Sequence, residues 1–281
     1  MIRFGAHAFV WIADWTPEAG DLAIAEAGAA GFDFLEIPLL HPERFDARRH
    51  RDALRRVGIG ATCSLGLPSD AHAPDHPERA VAFLKRALEQ TEAVGAEVLC
   101  GCLGYSLGVL TGAPPRADER ATVEQVLREV AADARGRGIA LALEACNRYE
   151  TYLYNTLADV DATVRAVGTS DLGVHADTYH MNIEEEGFAQ PLADVAGTLR
   201  YLHMSESHRG LVGTGTVDWD DVWRGLAEAG YQGPLVLESF SAINPDLAAA
   251  TCLWRPPNQP PEVLAREGLE FLRRGAARAG L

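Results

Sequence analysis

Four polar residues in the second half of the chain each close an apolar segment, a position that suits metal ligands. Glu144 ends LALE, Asp177 ends VHAD, His203 ends YLH and Glu238 ends LVLE. One such residue could be a paired side chain at a strand end, but burying four together without a counterion is costly. Three carboxylates and one imidazole form a mainly oxygen ligand set, which suits Mn²⁺ or Mg²⁺ with positions open for water or substrate. The pattern therefore predicts a divalent metal site.

Further polar side chains follow three of these segments. They are NRYE at 147–150, TYHMN at 178–182 and SESHR at 205–209. Such positions lie in loops past strand ends, where binding residues concentrate. We expect some of them to support their neighbours rather than contact a substrate: Asn147, Arg148, Asn182, Glu206 and Ser207. The acidic run at 184–186 predicts the start of a helix, because negative charge complements the helix dipole there.

Aromatic residues also lie near the predicted site. Trp11 and Trp15 follow the first predicted strand, and Tyr105 follows the fourth. Aromatic faces pack well against the C–H faces of sugars, so these residues are candidate substrate contacts; the alternative is that they cap the core. His72 and His76 lie in a Pro- and Asp-rich loop, where we expect them to be exposed.

The elements that must position these residues repeat one unit, a short apolar run followed by a longer helical pattern. Eight runs are predicted strands: 4–10, 32–37, 61–65, 98–102, 140–144, 173–177, 201–204 and 235–239. Several follow a glycine that could end the preceding helix: Gly31, Gly58, Gly95 and Gly138. Thr16 before Pro17, and Asp218 before Trp219, predict helix N-caps.

Strands that alternate with helices imply parallel pairing with right-handed crossovers. Eight units in 281 residues fit an α/β fold, the (β/α)₈ TIM barrel, as a single domain over 1–281. The alternative, a doubly wound open sheet, usually has a Gly-rich phosphate turn after its first strand. Here that strand runs into AFVW at 8–11 without a GxGxxG motif. In a barrel the carboxyl ends of all strands meet at one face, which brings the four candidate ligands together.

Composition excludes several classes of function. The net charge is −15, so we expect no nucleic acid as a partner and no binding to anionic membranes. No apolar stretch approaches the length of about 20 residues that spans a bilayer. Five cysteines without framework spacing, and an N-terminus without the features of a signal peptide, predict reduced thiols and a cytoplasmic protein.

Longer motifs around the candidate ligands carry a family resemblance. They are EACNRYE at 144–150, DTYHMNIEE at 177–185, HMSESHRG at 203–210, GTGTVD at 213–218 and VLESF at 236–240. These motifs closely resemble those of the ketose 3-epimerases, the D-tagatose 3-epimerases and D-allulose (D-psicose) 3-epimerases of the xylose-isomerase-like barrel superfamily. The resemblance covers nearly the whole chain in order and is densest from Glu144 to Phe240.

The resemblance implies specific roles. Glu144, Asp177, His203 and Glu238 would bind one Mn²⁺ or Mg²⁺, with Co²⁺ often accepted, and the two glutamates would double as an acid/base pair. Positions that match the family's contacts to the O1–O3 end of the substrate are Glu150, His180 and Arg209. A homodimer or homotetramer is the usual assembly. The chain departs from the family at Ser205, Ala176 and Cys146, in the loop 102–106 and in the tail 254–257, which are places that could change the preferred sugar.

The implied reaction interconverts free ketohexoses, D-allulose with D-fructose or D-tagatose with D-sorbose. The C3 hydrogen of a ketose lies next to the C2 carbonyl, and a cation that chelates O2 and O3 stabilises the charge of a cis-enediolate. Inversion at C3 needs proton removal from one face and return to the other. Glu144 and Glu238 come from strands three apart in a ring of eight, so they can flank the substrate and exchange the roles of acid and base.

Other functions remain open at this point. The same residues could serve an aldose–ketose isomerase acting between C1 and C2, or a sugar or inosose dehydratase. An apurinic-site endonuclease shares the barrel but needs several Zn²⁺ ions, more histidine ligands and a DNA-binding surface. A non-catalytic sugar-binding barrel would not need two opposed carboxylates. A sugar phosphate is disfavoured because the last strand ends carry neither a Gly-rich cradle nor a Lys/Arg cluster.

Overall fold

The computed structural model describes residues 2–243 and 245–281, and its strands close into a parallel barrel in chain order. The strands are β1 (Phe4–His7), β2 (Phe34–Pro38), β3 (Gly60–Gly66), β4 (Val98–Cys102), β5 (Ala140–Glu144), β6 (Leu172–Asp177), β7 (Leu199–Ser205) and β8 (Leu235–Glu238). Each strand pairs with its neighbours in sequence, and β8 pairs with β1. The predicted TIM barrel and its eight strands are therefore confirmed.

Helices surround the barrel. They are α1 (Pro17–Ala30), α2 (Ala47–Val57), α3 (Pro77–Val94), α4 (Ala117–Arg137), α5 (Leu157–Val167), α6 (Thr178–Glu184), α7 (Ala189–Asp194), α8 (Trp219–Glu228), α9 (Pro245–Thr251) and α10 (Pro261–Ala279). Within the described ranges, none of them combines the length and the apolar character needed to cross a membrane.

Local signals set the ends of several helices. The Thr16 hydroxyl accepts the backbone N–H of Ala19 at the start of α1, and the Asp218 carboxylate accepts that of Asp221 at the start of α8. All four glycines predicted to end helices adopt left-handed backbone conformations as C-caps: Gly31, Gly58, Gly95 and Gly138. These predictions from single residues are confirmed.

The interior of the barrel is layered, because side chains two positions apart on a strand share a face. An apolar layer consists of Phe34, Val98, Cys100, Ala142, Tyr201 and Val236. Two residues further along their strands stand Glu144, His203 and Glu238, so the polar residues form the next layer toward the carboxyl ends. The apolar layer thus closes the barrel beneath them and excludes water from below.

Three local predictions were wrong. β1 ends at His7 rather than continuing to residue 10, because a 3₁₀ turn begins there and the His7 ring accepts the N–H of Phe9. The run 184–186 does not start a helix: Asp177 caps α6 directly at the end of β6, so Glu184 is the last residue of that helix. His72 is buried, since its ring accepts the N–H of Ser106 on a neighbouring loop, whereas His76 is exposed as expected.

Candidate active site

The four candidate ligands meet at the carboxyl ends of β5, β6, β7 and β8. Ligand atoms of Asp177, His203 and Glu238 lie within 4.8 Å of one another. Nδ1 of His203 lies 3.3 Å from Oε1 of Glu238 and 3.8 Å from Oε1 of Glu144. All four residues are buried. Residues at the carboxyl ends of four separate strands thus supply one cluster of ligand atoms.

One ring nitrogen shows that this cluster suits a cation. Among the residues that the structure describes, Nδ1 of His203 is buried without a hydrogen-bond partner, although it lies among carboxylates. The other nitrogen, Nε2, lies 2.8 Å from Oε2 of Glu36. When Nε2 carries the proton for that hydrogen bond, the lone pair of Nδ1 points into the cluster. A divalent cation would satisfy both this lone pair and the carboxylates, so the residues fit such an ion.

The titration of the cluster reflects the same crowding of negative charge. Burial raises the pKa of Glu144 well above its ordinary value, and the neighbouring carboxylates add to the effect. Burial also raises the pKa of Asp177, against the influence of Arg209. Burial alone would lower the pKa of His203, but Glu36 and Glu238 raise it well above its ordinary value. A proton and a metal ion therefore compete for the same ligand atoms.

Arg209 closes one side of the cluster. Its Nη1 donates to Oδ2 of Asp177 at 2.8 Å and also pairs with Glu238. The guanidinium stacks over the ring of Tyr179, 3.7 Å from its centre, and lies 5.1 Å from that of Phe240. The backbone of Arg209 has a φ of 59°, a conformation that non-glycine residues seldom adopt and that often marks a functional site. A fixed positive charge thus faces two of the candidate ligands.

Glu150 and His180 are joined through Asn147. The side-chain amide of Asn147 donates to Glu150 at 2.8 Å, and its backbone N–H donates to Nδ1 of His180 at 3.1 Å. Burial raises the pKa of Glu150 to about 7 and lowers that of His180 to about 3. His180 is therefore neutral near pH 7. Its Nε2, which carries the proton when Nδ1 accepts from Asn147, lies 3.5 and 3.8 Å from oxygens of Asp177 and Glu144. It also lies 3.3 Å from Nη2 of Arg209. Asn147 has the supporting position expected from sequence.

The three aromatic candidates are placed differently. Trp11 packs edge-on against Phe32, and Trp15 packs against Phe45 and His50. Both tryptophans are half-buried, and their contact with a sugar stays a prediction. Tyr105 is completely buried, and its hydroxyl donates to the backbone carbonyl of Glu144 at 2.9 Å. The structure therefore corrects the interpretation of Tyr105 as a sugar-stacking face, because this ring supports the end of β5 from within the core.

Reasoning from sequence missed several buried polar residues that adjoin this cluster. Glu36 in β2 is completely buried, as are His175 in β6 and Tyr201 in β7, and His7 at the end of β1 is nearly so. One signal was available in the sequence: Glu36 is a single charge within FLEIP, a strand that is buried throughout. Such a charge needs partners inside the protein.

Comparisons with known proteins give a consistent picture. Residues 24–275 match the family model described as the xylose isomerase-like TIM barrel. The chain is 38% identical over 261 residues to a ketose 3-epimerase from Arthrobacter globiformis, covering 90% of each chain. It is 36% identical over 278 residues to an L-ribulose 3-epimerase from Methylomonas sp. (strain DH-1), covering 97% of each chain. A crystal structure of D-allulose 3-epimerase from Methylomonas sp. superposes with a TM-score of 0.94 at 35% identity, covering 98% of each chain.

Proposed function

Because the chain belongs to the xylose isomerase-like TIM barrel family, and within it to the ketose 3-epimerases, which are isomerases that act on sugars, we propose that it inverts C3 of free ketoses with one divalent cation per subunit. The proposed ligands are Glu144, Asp177, His203 and Glu238. The proposed ion is Mn²⁺ or Mg²⁺, with Co²⁺ as a substitute, since oxygen ligands dominate the set.

The observation that carries this proposal is the placement of two buried glutamates around one histidine nitrogen. Glu144 ends β5 and Glu238 ends β8, and both carboxylates lie within 4 Å of Nδ1 of His203. In a closed ring of eight strands, β5 and β8 are three strands apart. The two carboxylates therefore reach the common centre from different sides of the barrel, as proton transfer on two faces of a sugar requires.

The residues of the proposed site have separate roles in the reaction. When bound, the divalent ion supplies Lewis-acid polarisation of the substrate oxygens at C2 and C3. One of Glu144 and Glu238 removes the proton at C3, and the other returns a proton to the opposite face; the roles exchange in the reverse direction. Arg209 and the Nε2–H of His180 orient the oxygen atoms and stabilise their growing negative charge. The apolar layer beneath the site excludes water, which protects the planar intermediate from stray protons.

The proposed substrates are free ketoses rather than one sugar. The sequence motifs favour ketohexoses, namely D-allulose with D-fructose and D-tagatose with D-sorbose. A relative at 36% identity is named for L-ribulose, which is a ketopentose, and the superposed structure is named for D-allulose. We therefore include L-ribulose among the candidate substrates of this chain. The proposed binding groups for the O1–O3 end of the sugar, which pentoses and hexoses share, are Glu150, His180 and Arg209.

Proton NMR in D₂O tests the proposal directly. The metal-free protein is loaded with Mg²⁺, which is diamagnetic, and incubated with L-ribulose, D-allulose, D-fructose, D-tagatose or D-sorbose. Deuterium at C3 together with the C3 epimer is the expected result, and relative rates identify the preferred sugar. Deuterium at C1 with an aldose product would assign an aldose–ketose isomerase instead. Absence of exchange on all five ketoses, with Mn²⁺ as well as Mg²⁺, would refute the proposal.

We also propose a homodimer or homotetramer in the cytoplasm. Four of the five cysteines are buried thiols and the fifth, Cys252, is an exposed thiol, which suits a reducing compartment. Large apolar side chains are exposed on the loops that follow β4 and β5: Leu110 and Tyr149 are 53% and 63% exposed. These loops are joined by a hydrogen bond from Gly108 N–H to the Glu150 carbonyl. Light scattering coupled to size-exclusion chromatography measures the assembly.

A further inference from the structure

Glu36 is a completely buried carboxylate to which the proposed reaction assigns no step. It lies in the middle of β2, two positions after Phe34 of the interior apolar layer, so it points into the barrel in the same layer as Glu144, His203 and Glu238. Both of its oxygens face Nε2 of His203, at 2.8 and 3.1 Å. A leucine or methionine would fill this space without the cost of burying a charge. The carboxylate therefore calls for a specific explanation.

The surroundings of Glu36 hold it in one orientation. The hydroxyl of Tyr201 donates to Oε2 of Glu36 at 2.7 Å and lies 2.7 Å from the hydroxyl of Thr62. Because the Tyr201 proton goes to the carboxylate, Thr62 donates to Tyr201. Nε2 of His7 lies 3.5 Å from Oε1 of Glu36. The backbone N–H of Phe9 donates to Nδ1 of the same ring, so its proton is on the side of Glu36. Groups from β1 and β7 thus converge on one carboxylate, and Thr62 of β3 orients the Tyr201 hydroxyl.

We propose that Glu36 is a positioning residue for the metal ligand His203. The carboxylate accepts a hydrogen bond from Nε2–H, and the lone pair of Nδ1 is then directed at the other candidate ligands. It also fixes the plane of the ring and increases the electron density on Nδ1 through its negative charge. Such contacts behind a ligating histidine commonly change metal affinity 10- to 100-fold. This inference rests on the proposed function, because it assumes that His203 ligates a cation.

A purely structural role for Glu36 makes a different prediction. If the carboxylate only filled the barrel, its replacement would lower stability and leave the affinity of the folded protein for metal unchanged. The two glutamates Glu36 and Glu119 allow this comparison within one chain. Glu119 is also buried, accepts the hydroxyl of Tyr152 at 3.0 Å and the backbone N–H of Arg116 at 2.6 Å, and starts α4 outside the barrel.

The test is the affinity of the protein for Mn²⁺, measured by titration calorimetry on protein stripped with EDTA and dialysed. Glu36→Gln keeps an oxygen for Nε2–H but loses the charge, and Glu36→Leu loses both. We expect the Kd for Mn²⁺ to rise about 10-fold in Glu36→Gln and about 100-fold in Glu36→Leu. Glu119→Gln, the matched control, should bind Mn²⁺ as the wild type does. Thermal unfolding of each variant in EDTA records whether the fold persists.

A spectroscopic measurement gives a second, independent readout. In Mg²⁺-loaded protein labelled with ¹⁵N-histidine, the Nε2–H proton of His203 should resonate downfield because it donates to a carboxylate. It should move upfield in Glu36→Gln, a variant that retains the hydrogen bond to a neutral oxygen. This readout is available even if Glu36→Leu fails to fold.

The outcomes separate this inference from the function on which it rests. Wild-type protein that binds neither Mn²⁺ nor Mg²⁺ would refute both. Wild-type protein that binds Mn²⁺, with an unchanged Kd in Glu36→Gln and an unmoved His203 proton, would overturn the role of Glu36 alone. A raised Kd that recovers in Glu36→Asp with a partly restored proton shift would support positioning, since a shorter carboxylate keeps the charge but lengthens the contact.

Discussion

At the scale of single residues, the two proposed acid/base groups share burial but have different partners. Glu238 pairs with the guanidinium of Arg209. Glu144 lies instead near the rings of His175 and His180, 3.7 and 3.8 Å away. Burial consequently raises the pKa of Glu144 well above its ordinary value.

Replacing either glutamate by glutamine tests the assignment of the acid/base pair. Glu144→Gln and Glu238→Gln should each lower kcat for C3 epimerisation by about 10²–10⁴-fold, because glutamine neither accepts nor returns the proton. The measurement is kcat at saturating Mn²⁺, with circular dichroism to show that the fold persists. Glu119→Gln is the control for loss of a buried carboxylate outside the barrel. Near-normal turnover in either site variant would remove that residue from the mechanism.

At the scale of elements, the alternation of side chains along each strand builds the site in layers. Tyr201 and His203 in β7 share the interior face, as do Val236 and Glu238 in β8, and each apolar residue lies under a polar one. β4 adds a constraint of another kind. Gly101 has a φ of 104°, and a Cβ at this position would lie 2.3 Å from the backbone carbonyl oxygen of Leu65 in β3. Only glycine allows β3 and β4 to pair as they do here.

Substitution by alanine should have opposite effects on stability at Gly101 and at Gly136, because only Gly101 lies against backbone. Gly101→Ala should lower the free energy of unfolding by more than about 2 kcal/mol, because the methyl group meets backbone and the φ is strained. Gly136→Ala, in α4 with open space around the added Cβ, should raise it by about 0.5–1 kcal/mol. Urea unfolding at fixed metal concentration measures both. Equal effects at the two positions would contradict the close approach of β3 and β4.

At the scale of the whole molecule, buried histidines link the packing of the barrel to pH. His72 follows β3, and its Nδ1 accepts the N–H of Ser106 in the loop after β4. Burial lowers the pKa of His72 from its ordinary value of 6.5. The folded protein therefore keeps this ring neutral while the unfolded chain takes up a proton. The stability that His72 contributes is complete above pH 6.5 and is lost as the pH falls below that value.

A pair of histidine variants isolates this contribution. His72→Asn keeps an acceptor for the Ser106 N–H but cannot be protonated. The difference in unfolding free energy between wild type and His72→Asn should shrink as the pH falls from 7.5 to 5, by up to about 1.4 kcal/mol per pH unit below 6.5. His76→Asn is the control for replacing an exposed histidine in the same loop. A pH-independent difference for His72→Asn would show that this ring does not titrate on unfolding.

The sequence by itself determined the barrel and the order of its strands. The eight apolar runs, the C-cap glycines and the N-cap at Thr16 are local signals, and backbone geometry alone connects them to structure. The four candidate ligands could be predicted because each lies at or near the carboxyl end of a buried strand, and the carboxyl ends of a parallel barrel meet at one face. The beginning of α6 was missed because Asp177, taken only as a ligand, also caps that helix.

Only the tertiary structure decided which buried side chains contact those ligands and the strands that carry them. Glu36 and His203 are 167 positions apart, and their contact depends on closure of the barrel and on the register of strands that are not neighbours. The same holds for Tyr105, whose ring lies under the end of β5, and for His72, which bonds to another loop. Local periodicity records whether a side chain is buried. It carries no information about which distant side chain lies opposite. The identity of that partner determines the charge beside each ligand and the orientation of the ligand's side chain.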